Sequence, residues 1–159
     1  MLVLVQIKNL TKVFENYTAL NGLNLNISKG SIYGLVGVNG SGKTTAIKHL
    51  AGVYRGDSGQ VAIDGQGVYD NAAVKAKIGY VSDDMYFFPQ YSLKMLGRFY
   101  KGLYPTWEDA RFTEILNMLE LDPKRRVGRF SKGMQKQAAL SLALSVKPEV
   151  LLLTRQRQR

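Results

Sequence analysis

Leu2–Ile7 is a short run, apolar except for Gln6, with enough β-branched side chains to predict a strand. Gly22–Ile27 alternates, apolar residues against asparagines, and predicts a half-exposed strand. The Lys29-Gly30 pair then turns the chain. Ser31–Val36 breaks the alternation. It is a continuous apolar run around Gly34, the pattern of a strand covered on both faces. Gly37–Gly42 is Gly-rich, and a helix is expected from near Lys43 to about Ala51. Further short strands are predicted at Gln60–Asp64, Ile78–Val81 and Val150–Leu153.

From Tyr91 to Leu121 aromatics and helical spacing take over, as in Phe112, Ile115, Leu116 and Leu119. Thr106, with Pro105 just outside it, is the expected N-cap there. Ser131 is the expected cap of the next helix, whose Met134, Ala138, Leu142 and Ser145 share a face and which Lys147-Pro148 ends. Strands alternating with helices predict an α/β sheet with a helical insertion between about Ser82 and Val146.

Composition narrows the class. A chain of 159 residues with 45% hydrophobic residues suits one ordinary domain and excludes wholesale disorder. The absence of cysteine excludes a disulfide scaffold, a thiolate zinc site and a cysteine nucleophile. No apolar run reaches the roughly 18 residues that a membrane-spanning helix needs, and MLVLVQIKNL lacks the basic start and long apolar run of a signal peptide. A cytosolic protein is expected. The formal net charge of +10 invites nucleic acid, an anionic membrane surface or a phosphate-bearing ligand.

One motif decides among these. Gly37-Val38-Asn39-Gly40-Ser41-Gly42-Lys43-Thr44 fits G-x-x-x-x-G-K-[ST]. The glycines let backbone N–H groups converge on a phosphate, and the following helix presents its positive end there. Lys43 is a mobile ammonium for the β- and γ-phosphates. The Thr44 hydroxyl can ligate Mg2+, and Thr45 can hold another phosphate oxygen. The motif stands between an expected buried strand and a helix, the context it requires.

With this loop in place, the chain from about Leu4 to Leu153 resembles the ATP-binding subunit of ATP-binding cassette (ABC) transporters. Asn9-Leu10-Thr11-Lys12-Val13-Phe14 resembles the family's opening strand and aromatic loop. Phe14 would then stack on adenine. Ala19-Leu20-Asn21-Gly22-Leu23 resembles the lead-in to the second strand, and Ile78-Gly79-Tyr80-Val81 the strand before the Q-loop. Phe130-Ser131-Lys132-Gly133-Met134-Gln135-Lys136-Gln137 resembles the signature motif, in a form common in bacterial exporter ATPases. In the family this segment meets the ATP held by the opposite subunit, so Ser131, Lys132, Gly133 and Met134 are the expected residues there. Ser131 as cap, Gly133 for close approach and a helix start aimed at an anion agree with that role.

The resemblance implies an α/β fold: a P-loop NTPase core with N-terminal antiparallel β strands and a helical insertion at about 84–146, with the C-terminal part of the fold missing. It implies ATP and Mg2+, a dimer of ATPase subunits (homo- or heterodimer), and a membrane permease as a separate chain. The subunit would be cytoplasmic and peripheral on the inner face of the cell membrane.

The chain departs from the family pattern in places. Asp83 stands where the Q-loop glutamine is usual, with Gln90 as a displaced substitute. Phe130 and Met134 replace the commoner Leu and Gln of the signature. Val150–Leu153 resembles the Walker B strand, but Thr154 and Arg155 stand where the family has Asp-Glu. Arg155 is a permanent cation and cannot act as a carboxylate. His49, the only histidine, is not at the switch position and is expected at the surface or its boundary.

The expected domain is 1–153, with 154–159 an aberrant basic tail. One coding of the family's Asp-Glu-Ala-Thr-Ser-Ala-Leu-Asp, after loss of a single G, reads Thr-Arg-Gln-Arg-Gln-Arg-stop, so a frameshift is the favoured account; the alternative is a genuine basic tail for binding anions. These readings expect an exporter-type ATPase that hydrolyses ATP poorly. The alternatives are a non-hydrolysing basic module for nucleotide or nucleic acid, or a partly folded product. Lys124-Arg125-Arg126 with Arg129 is read as a solvated loop, and no specific nucleic acid is expected.

Overall fold

The computed structural model describes residues 2–83 and 86–154. The chain forms two units, Met1–Lys75 and Ala76–Arg159.

The first unit is built on two long strands, β1 (Val3–Phe14) and β2 (Tyr17–Ser28). They pair antiparallel, with Val5 opposite Ile27 and Phe14 opposite Tyr17. Both outrun the patterns that predicted them. In β1, Val5 and Ile7 face the core, and the register then shifts before Leu10 returns to it. Asn9 makes the shift with a φ of 47, a conformation asparagine tolerates. Its backbone N–H donates to Asn24 Oδ1, and Asn24 Nδ2 donates to Asn9 Oδ1, both at 3.0 Å. On the other side of β1 runs β3 (Ser58–Ile63), followed by β4 (Gln66–Gly67), giving the order β2-β1-β3-β4. Helices α1 (Lys43–Leu50) and α2 (Ala72–Lys75) complete the unit. Val5, Ile7, Leu10, Leu20, Ala46, Leu50, Ile63, Val68 and Val74 are its buried apolar residues.

The expected strand at Ser31–Val36 is not formed. The segment has no strand pairing among the described residues, and Val36 is 96% exposed. An apolar run records only a preference for burial. A strand also needs a neighbour for its N–H and C=O groups, and a local pattern cannot supply one.

The second unit holds a parallel pair, β5 (Ile78–Val81) and β6 (Val150–Leu153), with Ile78 opposite Val150 and Val81 opposite Leu153. The crossover between them is helical: α3 (Leu93–Leu103), α4 (Asp109–Met118), a 3₁₀ turn at Val127–Arg129 and α5 (Lys132–Ser145). Helix α5 is buried on two sides. Ala138 and Leu142 join Leu93, Leu96, Phe112, Leu116, Leu121, Val127 and Phe130 in one cluster. Ala139 and Ala143 join Val81 in another, against which Leu151 packs. Buried Ser141 and Ser145 keep their hydroxyls bonded to backbone oxygens one turn back.

Thr106 is not a helix cap. Its hydroxyl donates to Val146 O at 2.6 Å, and α4 starts from Glu108, which makes no side-chain cap bond. The tertiary bond to the end of α5 has taken the hydroxyl that the local pattern assigned to a helix start.

The two apolar segments therefore differ in consequence. Leu142→Ala is expected to cost about 2–5 kcal/mol, because it opens a cavity beside α5. Val36→Ser is expected to cost less than about 0.5 kcal/mol, because its side chain is already in water. Denaturant unfolding of the two variants checks both.

Candidate functional site

In the first unit the Gly-rich loop is shaped by close approaches. Gly40 and Gly42 both have a φ of 82. A Cβ at Gly42 would lie 2.4 Å from Ala19 O, and one at Gly37 would lie 2.8 Å from Ser41 Oγ. Only glycine permits these turns without displacing backbone or the neighbouring hydroxyl. Helix α1 then starts from Gly42 with no side chain capping it. Its first N–H groups and its positive end are left for an anion. Asn39, Ser41 and Thr44 are exposed, and Thr45 is half-buried.

Lys43 folds back over the loop. Its Nζ donates to Gly37 O at 2.7 Å, Val38 O at 2.6 Å and Ser41 Oγ at 3.1 Å. All three ammonium protons are engaged, so the cation holds the loop curled around itself. Tyr17, at the start of β2, adds a second clasp: its hydroxyl donates to Gly40 O at 2.6 Å. Nothing in the sequence singled out Tyr17, because its partner lies across a turn of the fold.

Phe14 ends β1 and is 37% exposed. Its ring meets Tyr54 edge-on at 5.5 Å, and Lys12 Nζ stands 5.4 Å from its centroid. Asp57 fixes this corner. It accepts from Lys12 Nζ and from Val13 N, each at 2.7 Å. Those two bonds, led by Lys12, lower the Asp57 pKa from its ordinary value. Asp57 is a second residue that sequence reading missed; its role exists only once β1 and the turn before β3 are side by side.

His49 is buried, not at the surface. Its Nδ1 lies 2.8 Å from Thr45 O, and its ring packs edge-on against Tyr54 at 5.7 Å. The helical turn and the aromatic neighbour take up a side chain that was expected at the surface or its boundary.

The second unit carries the segment that resembles the signature motif. Ser131 caps α5 as expected, its Oγ accepting from Met134 N at 3.2 Å. Ser131, Lys132 and Gly133 are exposed at the helix start, and a Cβ on Gly133 would meet only Ser131 Oγ, at 3.8 Å. Met134 points differently: it packs against the cluster of Leu93, Phe112 and Leu142. Asp83 is mostly buried, and its carboxylate accepts from Lys136 Nζ at 2.7 Å. Its backbone N–H donates to Thr154 Oγ1 at 3.0 Å. Thr154, at the end of β6, thus holds the Asp83 backbone where the family pattern has an acidic side chain. Gln90 lies exposed in a turn. Arg155 and the rest of the tail lie outside the described residues.

A glycine cradle that side chains would fill, an uncapped helix start and a lysine on the loop carbonyls fit the phosphates of a nucleotide. For Mg2+, the loop offers the exposed Thr44 hydroxyl, and no group of three or more His, Cys, Asp or Glu is suited to a metal among the described residues. That donor set fits an ion held largely by phosphate and water, as Mg2+ usually is.

The first unit's glycine loop opening a helix and the second unit's Ser131-capped helix are both features expected of an ATP-binding cassette. A family model described as ABC transporter matches residues 20–153, and the chain belongs to that family. It is 30% identical over 150 residues to the ABC transporter ATP-binding protein YtrB of Bacillus subtilis, covering 94% of this chain and 51% of that protein. It is 36% identical over 159 residues to the Fe(3+) ions import ATP-binding protein FbpC 1 of Pectobacterium atrosepticum, covering 93% and 44%. The chain thus spans about half the length of these relatives. Among solved structures, it resembles the ATP-binding cassette MJ0796 bound to ADP and Pi, a dimer in a post-hydrolysis state. The TM-score is 0.80 at 27% identity, covering 94% of this chain and 72% of that one. The fold also matches an ATP-binding subunit of an ABC transporter with a TM-score of 0.84 at 22% identity, covering 94% and 65%.

The Asp57 contact gives a pH prediction. The folded-state pKa lies below the unfolded one, so its stabilisation is fully present above the ordinary carboxylate pKa. It is lost as pH falls through the lowered value. Carboxyl NMR titration is expected to place Asp57 below the usual carboxylate range, and Lys12→Met is expected to raise it. At the loop, Gly42→Ala is expected to lower the unfolding midpoint, since the new Cβ meets backbone and sits at a positive φ. A thermal melt reads that loss.

Proposed function

We propose that this chain is the nucleotide-binding part of a transporter ATPase, working in a dimer of such subunits with a membrane permease as a separate chain. The observation that carries it is the Lys43-clasped glycine loop leading into an uncapped helix. Bound ATP supplies the transferable phosphate. Gly37, Asn39, Gly40, Ser41 and Gly42 present backbone N–H groups to its phosphates, Lys43 supplies charge, and Thr44 offers a ligand for Mg2+. Thr45 supplies a further hydroxyl, and Phe14 offers a ring to adenine. Ser131, Lys132 and Gly133 are the exposed end of α5 that would meet the nucleotide of a second subunit. Met134 supports that end from the core.

Hydrolysis is the weak step of this reading. Phosphoryl transfer to water needs a placed water and charge neutralisation. The sequence has Thr154 and Arg155 where the family has its Asp-Glu pair, and Asp83 is already bonded to Lys136. The chain therefore binds ATP but turns it over slowly. The signature form suggested export; the FbpC relative named above is an import protein, and direction of transport is assigned to the permease rather than to these residues. No helix among the described residues is long and apolar enough to cross a membrane. The proposed subunit works peripherally, on the cytoplasmic face, beside its separate permease.

Binding and turnover separate the parts of this proposal. ATP is expected to bind the chain, and Lys43→Ala is expected to weaken binding by about tenfold or more through loss of charge-assisted bonds. Mg-ATP turnover is expected near the uncatalysed background, and the double change Thr154→Asp with Arg155→Glu to raise it. Turnover at the level of ordinary family members, abolished by Lys43→Ala, would refute the claim that the missing carboxylates limit catalysis.

A further inference from the structure

We propose that the groove between α3 and α4 binds a small amphiphilic carboxylate, an apolar body with one anionic head. A cavity of about 450 Å³ lies there. That is within the range of roughly 300–1,000 Å³ usual for small-ligand sites. It belongs to the second unit and uses none of the nucleotide or signature residues.

Its floor is apolar: Gly97, Trp107, Phe112, Leu116 and Pro123. Gly97 matters because a Cβ there would lie 2.7 Å from Phe112 Cε1. Without one, the Phe112 ring reaches the α3 backbone.

The rim is basic. Lys94, Arg98 and Lys101 follow one face of α3 at helical spacing, and Lys124 joins them from the loop after α4. One carboxylate, Asp109, also lines the groove, but both its oxygens are engaged. Lys101 Nζ donates to Oδ2, and Trp107 Nε1 donates to Oδ1 at 2.8 Å. Lys94, Arg98 and Lys124 have no carboxylate partner among the described residues. Three cations without an ion-pair partner among the described residues therefore border one cavity.

Neither half of this lining alone specifies the ligand. A purely apolar molecule leaves the cations unanswered, and a bare anion leaves the open apolar surface of Trp107 and Pro123 in contact with water. A carboxylate on an apolar body satisfies both, the head at Lys94, Arg98 or Lys124 and the body over Trp107 and Pro123. A cavity of this size, bounded by two helices and one loop, suits a single small molecule better than a protein segment.

Trp107 is the only tryptophan of the chain, so its emission reports on this groove. The full chain is titrated with octanoate and, separately, with octanol, which shares the apolar body but lacks the charge. Octanoate is expected to change Trp107 emission saturably, and octanol to bind at least about tenfold more weakly. Arg98→Glu and Lys94→Glu are each expected to raise the octanoate Kd by about tenfold, with the unfolding midpoint unchanged, since both side chains are exposed. If either glutamate variant fails to fold, Arg98→Gln replaces it, with a smaller rise in the same direction expected. Amide NMR is expected to confine the octanoate-induced shifts to the neighbourhood of Gly97, Thr113 and Asn117. No saturable change, equal binding of octanol, an unchanged Kd in the folded variants, or shifts centred elsewhere would each overturn the proposal. ATP binding to the same samples reads the first unit separately, so failure of one reading leaves the other visible.

Discussion

Helix α1 begins hard against the backbone of β2, and the nucleotide loop depends on that approach. With a Cβ at Gly42 only 2.4 Å from Ala19 O, any other residue would push the helix start away from the sheet. The glycine lets the helix axis begin there uncapped, with its N–H groups gathered at one point. Lys43 and Tyr17 then tie the loop's carbonyls down, one from inside the motif and one from the neighbouring strand. The loop is preorganised by backbone contacts and two side chains, so little remains to be ordered when an anion arrives.

The second unit solves a comparable problem with a helix rather than a turn. Helix α5 is covered on two sides by apolar clusters, which holds it firmly while its first turn stays in water. Ser131 bonds Met134 N, and Met134 itself packs inward, so the exposed Ser131-Lys132-Gly133 end is carried on a fixed support. Thr154 and Lys136 both bond to Asp83, one to its backbone and one to its carboxylate. Both bonds tie Asp83 into a structural network.

Much of this was legible along the chain. Ile78–Val81 and Val150–Leu153 were read to the residue, because short β-branched or leucine-rich runs bounded by turns have few other readings. The start of α1 and the Ser131 cap were also legible, since both are set by chemistry within a few residues. The failures share a cause. Ser31–Val36, Thr106 and His49 were each assigned from local pattern, and each was decided by a partner or by the lack of one. Tyr17 and Asp57 were missed for the same reason.

The sequence by itself determined where a glycine-rich loop opens a helix, which residues carry its G-x-x-x-x-G-K-[ST] pattern, and which family the chain resembles. It could do so because the motif's chemistry is local: glycines for the turn, lysine for charge, a hydroxyl for the ion. Only the tertiary structure decided what clasps the loop, what anchors the strand bearing Phe14, and what the Asp83 carboxylate is bonded to. Those contacts join residues far apart in the chain, and their energies arise only when the fold removes water from between them.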